Sequence, residues 1–323
     1  MKAKLNVGVI GVGSLGQHHA RNYSEIREVS LVGVADVDQA RAQEIAAKHK
    51  TKAYADHKEL LKHVDAVSVA VPTSLHHAVA KDVIAAGKHL LLEKPITSTI
   101  AQAREVVDHA DQKKIKLQVG HIERFNPAIR AASPYIHDPK FIECTRIAPF
   151  VSRGTDVPVV LDLMIHDIDI ILSFVRSEVE RISAIGFNPV SDQEDIANAR
   201  LEFANGCVAN VTASRISVKK ERKVRFFQRN AYINVDYMKP DVKVYKLKGD
   251  PKGMLDLAKM VDYIEPRIDK TEPLKAELTA FVDCILKNTE PLITGNDGLR
   301  ALQVAEAILE DIGKRKAKLE GKK

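Results

Sequence analysis

Residues 1–120 alternate short apolar runs with stretches of helical period, and this alternation narrows the possible folds more than any other feature. The runs are Leu5–Ile10, Ser30–Ala35, Ala66–Val71, Lys88–Leu92 and Ile115–Val119. They are nearly continuous in apolar residues, as expected of strands buried on both faces. Between them lie helical patterns at His76–Ala86 and Ile100–Gln112; in the second, Ile100, Ala103, Val106, Val107 and Ala110 share one face. Strands alternating with helices predict a parallel, doubly wound α/β sheet with helices on both sides.

After residue 120 strand-like runs follow one another directly: Ile182–Phe187, Ala197–Phe203, Val208–Ala213, Val224–Gln228, Tyr232–Val235 and Val242–Leu247. Asn205-Gly206 between two of them is a hairpin signal. Helical patterns bracket this block at Val160–Phe174, Leu274–Leu286 and Leu299–Ile312. The expectation is an α/β domain over 1–120 and an α+β domain over 121–323, the latter on a large, mostly antiparallel sheet. A length of 323 residues agrees with two domains.

With 45% hydrophobic and 28% charged residues, the composition excludes wholesale disorder. No apolar run reaches the roughly 18–20 residues that span a bilayer. The N-terminal stretch alternates like a strand and enters a glycine loop, unlike a secretory leader. Cys144, Cys207 and Cys284 are far apart and lack metal-ligand spacing, so they read as reduced thiols of a cytoplasmic protein. No metal site is expected. The net charge of +6 comes partly from the terminal GKRKAKLEGKK, read as a solvated helix end. A basic stretch from Arg215 to Arg229 has its aromatics, Phe226 and Phe227, adjacent rather than spaced for base stacking, so no nucleic-acid partner is expected.

Gly11-Val12-Gly13-Ser14-Leu15-Gly16 follows the first strand and leads into a helical pattern. In a dinucleotide fingerprint the first glycine permits the tight turn, the second lets backbone approach a pyrophosphate, and the third allows close helix–strand packing. The helix N-terminus then offers N–H groups to the phosphates. Asp36 ends the second strand twenty residues beyond Gly16, where its carboxylate would bond the adenosine ribose and repel a 2′-phosphate. This predicts a Rossmann domain that binds NAD rather than NADP, with Asp38 available as the cap of the next helix.

Two further constellations carry chemistry. Glu93-Lys94-Pro95 closes a strand at the carboxyl edge of the sheet, where ligands of such folds bind, so Lys94 could polarise a substrate oxygen. Asp162 and His166 lie four apart in LDLMIHDIDIILSF, which reads as one helix presenting both on a face. Imidazole suits proton removal from an alcohol as hydride departs. Asp167 and Asp169 read as structural charges.

GVIGVGSLG, Asp36, AVPTSLH at 70–76, EKP at 93–95, QVGHIERFNP at 118–127 and DLMIHDID at 162–169 occur in this order. The combination resembles the Gfo/Idh/MocA family of nicotinamide-dependent oxidoreductases over nearly the whole chain, and PLITGNDGLRALQVAEAILE is similar to the family's C-terminal signature. The resemblance implies that Lys94 contacts the substrate hydroxyl and that His166, with Asp162 beside it, is the acid/base. It implies that Val71, Pro72, Thr73 and His76 line the cofactor, that Glu93 lies near the nicotinamide ribose, and that Glu123 and Arg124 reach the substrate. It also implies a dimer or tetramer formed through the second domain's sheet.

Within the family, VPTSLHHAVAKDVI and VGHIERFNPAIR are similar to members that oxidise UDP-N-acetylglucosamine at the 3-hydroxyl. Those make a 3-keto sugar nucleotide that a pyridoxal-phosphate aminotransferase converts to the 3-amino sugar of lipid A-type glycolipids. Glu123 stands where inositol-type members tend to carry a basic residue. For the diphosphate of such a substrate, Arg153, Arg215, Lys219 and Lys220 are candidate clamps, Arg215 first among them. The alternatives are the same hydride chemistry on a UDP-sugar uronate, a free sugar or a cyclitol, and a non-catalytic NAD-binding sensor.

Overall fold

A computed structural model describes residues 4–151, 157–248 and 260–320. The chain divides into two compact units, one of Met1–Ile122 with Thr271–Leu302, the other of Glu123–Lys270 with Gln303–Lys323.

The first unit is built on strands β1 (Leu5–Ile10), β2 (Val29–Ala35), β3 (Lys52–Tyr54), β4 (Ala66–Val69), β5 (His89–Glu93) and β6 (Leu117–Gly120). All pair in parallel, in the order β3-β2-β1-β4-β5-β6. Helices α1 (Gly16–Glu25), α2 (Gln39–Lys48), α3 (His57–Leu61), α4 (Thr73–Ala85) and α5 (Ile100–Gln112) connect them. The reversal of order between β1 and β4 is the switch point at whose carboxyl side doubly wound sheets bind ligands. Local chemistry sets the helix starts. Asp38 caps α2 by accepting from the Arg41 N–H at 3.0 Å, and Thr99 caps α5 by accepting from the Gln102 N–H at 3.3 Å.

In the second unit, α6 (Pro127–Ala132) precedes an eight-stranded sheet: β7 (Pro139–Ile147), β8 (Val179–Phe187), β9 (Ile196–Phe203), β10 (Val208–Ser214), β11 (Glu221–Gln228), β12 (Ala231–Asp236), β13 (Asp241–Leu247) and β14 (Val261–Ile264). Its order is β14-β13-β12-β11-β7-β10-β9-β8, antiparallel except for the β7–β10 pair. Gly206, at φ +79°, turns the hairpin between β9 and β10. One face packs on helix α7 (Ile165–Phe174), with Phe174 edge-on to Phe226 at 5.2 Å. Phe226 is buried, whereas its neighbour Phe227 projects to the other face beside Phe141, so the adjacent aromatics of the basic stretch separate.

Two helices close the chain, α8 (Pro273–Lys287) and α9 (Gly295–Glu320). The structure corrects the single boundary at residue 120. Leu274, Leu278, Phe281 and Val282 of α8 join the apolar core of the first unit with Val7, Val9, Ala20 and Tyr23. Burying one such side chain is worth about 1.5–3 kcal/mol, which returns this segment to the first unit. A second correction concerns 160–174. Val160–Met164 is a π-helical turn, and the α-helix begins only at Ile165. Among the described residues no helix is long and apolar enough to cross a membrane, and the three cysteines are buried free thiols.

Candidate active site

The glycine loop leaves β1 with the geometry its three glycines require. Gly11 has φ +83°, and a Cβ there would stand 2.8 Å from the Ala70 carbonyl and from Val71 Cγ1. The loop therefore abuts the segment that follows β4. A Cβ on Gly16 would lie 1.8 Å from Gly11 O, so helix α1 approaches the strand as only glycine allows. A Cβ on Gly13 would meet nothing within 4 Å, leaving the space over the loop that a pyrophosphate needs.

Asp36 closes the loop from β2. Its Oδ2 accepts from the Val12 N–H at 2.7 Å and its Oδ1 from the Asp38 N–H at 3.0 Å. Each carboxylate oxygen retains a lone pair, so the group can still accept from ribose hydroxyls. Sequence reasoning passed over Arg41. Its Nε donates to Val12 O at 3.2 Å and its Nη2 to Gln17 Oε1 at 2.9 Å, bracing the loop against α1. These features fit a bound dinucleotide.

Beside the loop, the ends of β4 and β5 are tied together by His76. The ring is buried, with Nδ1 2.8 Å from Pro95 O and Nε2 3.0 Å from Val71 O. Burial holds its pKa below the usual histidine range, against the pull of the two carbonyls. His76 thus joins Val71-Pro72-Thr73 to Lys94-Pro95. Glu93 is also buried, 3.0 Å from His19 Nε2, and the absence of a side chain on Gly120 makes room for its carboxylate, which a Cβ would meet at 2.8 Å. Lys94 itself is half-buried, and its peptide bond to Pro95 is cis.

In the second unit, Asp162 sits in the π-helical turn and His166 in the first turn of α7. Both are half-buried, while Met164, Ile165, Asp167, Ile168 and Asp169 around them are enclosed. The two acidic neighbours are structural. Asp169 takes a bidentate pair from Arg124, at 2.8 Å from Nε and 2.6 Å from Nη2. Asp167 takes one from Arg146, at 2.8 and 2.9 Å, and Arg146 Nη1 also donates to Glu123 Oε1 at 2.8 Å.

Glu123 and Arg124 were expected to reach substrate, and the structure gives both internal partners. Glu123 is buried; Arg146 beside it holds its carboxyl below the usual range, overcoming burial that would raise it. Arg215 needs a correction as the leading diphosphate clamp. It is buried, with Nε on Asp195 at 2.9 Å, Nη1 on Val157 O at 2.7 Å and Nη2 on Ser191 Oγ at 3.0 Å. Those bonds fold the 190–195 turn and leave the guanidinium enclosed. Lys219 and Lys220 are exposed, Lys219 pairing with Glu221 at 2.9 Å, and Arg153 lies outside the described residues. Arg146 escaped sequence reasoning because β7 did too. The alternation of Ile142, Cys144 and Arg146 toward one face was the available signal of a buried ion pair.

Comparison with known proteins decides the family. Residues 5–121 match the oxidoreductase family with NAD-binding Rossmann fold, and residues 136–233 match the GFO/IDH/MocA C-terminal domain. The chain belongs to the Gfo/Idh/MocA oxidoreductase family. It is an NAD-dependent dehydrogenase. Among Gfo/Idh/MocA relatives, the UDP-N-acetylglucosamine 3-dehydrogenase of Acidithiobacillus ferrooxidans is 36% identical over 311 residues, covering 93% of this chain and 95% of that protein. A crystal form of that enzyme superposes with a TM-score of 0.90, covering 96% of this chain and 97% of the other. An inositol 2-dehydrogenase of Rhizobium meliloti is 26% identical, covering 96% of this chain and 97% of that protein.

Proposed function

We propose that the protein oxidises the 3-hydroxyl of UDP-N-acetylglucosamine with NAD, giving the 3-keto sugar nucleotide. The supporting observation is the full-length likeness to the Acidithiobacillus enzyme, at 36% identity against 26% for the inositol 2-dehydrogenase. In this reading carbon 3 gives up a hydride and its hydroxyl a proton. The nicotinamide, when bound, accepts the hydride. Lys94 donates to the substrate oxygen and stabilises the charge that develops there. His166 takes the proton, and Asp162 orients the sugar or favours the protonated ring. Gly11–Gly16 and Asp36 hold the dinucleotide, with Val71, Pro72, Thr73, His76 and Glu93 forming or supporting its nicotinamide side. The 3-keto product suits an aminotransferase that would follow.

The deciding experiment is the near-ultraviolet absorbance of reduced nicotinamide on mixing protein, NAD and UDP-N-acetylglucosamine, with a glutamate-dependent aminotransferase to draw off product. Signal is expected in the wild type and lost by orders of magnitude in Lys94→Ala, which still binds NAD. Turnover of a free sugar or cyclitol in place of the nucleotide sugar would overturn the substrate.

We also propose that the protein self-associates through the sheet face opposite α7. Phe141, Phe227, Tyr232, Tyr245 and Tyr263 form a row across it, with successive ring centroids 5.6, 4.9, 5.7 and 5.2 Å apart. Ile185 and Phe187 of β8 stand exposed at 63% each, the kind of apolar surface that subunit contacts cover. Light scattering should report a dimer or tetramer; a monomer would overturn this.

A further inference from the structure

The α7-facing side of the eight-stranded sheet carries a cluster of charges. Arg146 of β7 and Arg222 of β11 are register partners, so their guanidinium groups emerge side by side. Arg146 is enclosed, with each of its three guanidinium nitrogens bonded to Asp167 or Glu123. Arg222 is not. Its one side-chain partner among the described residues is Glu123 Oε1, 3.7 Å from Nη1, and its side chain keeps 35% exposure. That separation is beyond hydrogen-bonding distance.

An arginine placed directly opposite another arginine suffers repulsion, and the carboxylate nearest to both already serves Arg146. Arg222 has given up much of its hydration without a replacing side-chain hydrogen bond from the described residues, which is costly for a charged group. Burial and Arg146 together hold its pKa below the usual arginine range, while Glu123, Asp167 and Asp162 pull it up. Asp162, one of the groups assigned to the chemistry, therefore lies within electrostatic reach of this guanidinium. A ligand that brought anionic oxygens would satisfy the open donors and quench the repulsion.

We propose that Arg222 is a substrate-binding residue that grips a phosphate of the sugar nucleotide through charge-assisted hydrogen bonds. The assignment rests on the sugar-nucleotide reading. Planar, always charged and forked, guanidinium matches phosphate oxygens in pairs. In such a substrate the 3-hydroxyl and the phosphate at carbon 1 share one ring, separated by a single carbon, so one cluster can serve both. With Arg215 enclosed, Arg222 is a basic side chain among the described residues whose surroundings call for an anion.

The test is calorimetric titration of UDP into the NAD-loaded wild type, Arg222→Gln and Arg222→Lys, with steady-state kinetics on UDP-N-acetylglucosamine. Arg222→Gln is expected to weaken UDP binding about 10- to 100-fold, raise KM by a similar factor and change kcat less. Arg222→Lys should recover part of the loss, and NAD affinity should not move. A folded Arg222→Gln that binds UDP like the wild type overturns the assignment. Should Arg222→Gln fail to fold, Arg222→Lys decides it, wild-type UDP affinity there overturning the forked contact. A wild type that neither binds UDP nor oxidises the sugar nucleotide overturns the substrate reading and this assignment together; an active wild type with an indifferent variant overturns Arg222 alone.

Discussion

The Val12 N–H donates to Asp36 Oδ2 at 2.7 Å, so the carboxylate that follows β2 is stitched to the glycine loop proposed to hold the dinucleotide. The proposed function asks this one carboxylate both to fix the loop and to bond the ribose. Replacing Asp36 by Ala should raise the KM for NAD about 10- to 100-fold, the worth of a hydrogen bond to a charged group. It should also narrow the gap between NAD and NADP, because the charge that repels a 2′-phosphate is gone. Kinetics with both cofactors check this, and an unchanged preference would show that Asp36 does not set it.

The glycines of the loop should separate folding from binding. Gly13→Ala puts its methyl into open space and should unfold like the wild type while losing most of its NAD affinity. Gly16→Ala drives a Cβ to 1.8 Å from Gly11 O, so α1 must shift and stability must fall with affinity. Urea unfolding and NAD titration of both variants give the comparison.

Arg146 should be a stability residue of the second unit. Truncating it to Met leaves the carboxylates of Asp167 and Glu123 buried without their cation, at a cost of about 3–5 kcal/mol. Arg146→Met with Asp167→Leu should be less damaging than Arg146→Met alone, since one stranded charge is removed. Denaturant midpoints of the single and double variants measure it.

Stability should fall on the acid side of neutrality. Burial holds His76 and His89 below the ordinary 6.5, with Lys116 adding to the effect at His89. The unfolded chain therefore binds these protons first as pH drops. Stability from both is complete above 6.5 and is lost as pH falls toward the folded values. His89 Nδ1 accepts the Lys116 N–H at 3.1 Å, a bond that an Asn carbonyl can replace. His89→Asn should flatten the pH dependence of unfolding by up to about 1.4 kcal/mol per pH unit. An unchanged slope between pH 7 and 5.5 would exclude His89 as a contributor.

Most of the first unit was legible in the chain itself because its determinants are local. Leu5–Ile10 and Ile100–Gln112 have the predicted bounds, since unbroken apolar runs and a helical stripe are encoded residue by residue. The glycine spacing, Asp36 and the strand-end position of Lys94 are equally local. What lay beyond it were the partners of charges. Nothing in the local sequence shows that Glu123 pairs with Arg146, 23 residues on, or Arg124 with Asp169, 45 residues on. Arg215 and Arg222 sit in one basic run and look alike. Folding encloses the first with Asp195 and sets the second against Arg146, with no side-chain hydrogen bond from the described residues. Strand and helix follow from neighbours along the chain; whether a charge is spent or available depends on which distant strand the sheet register brings opposite it.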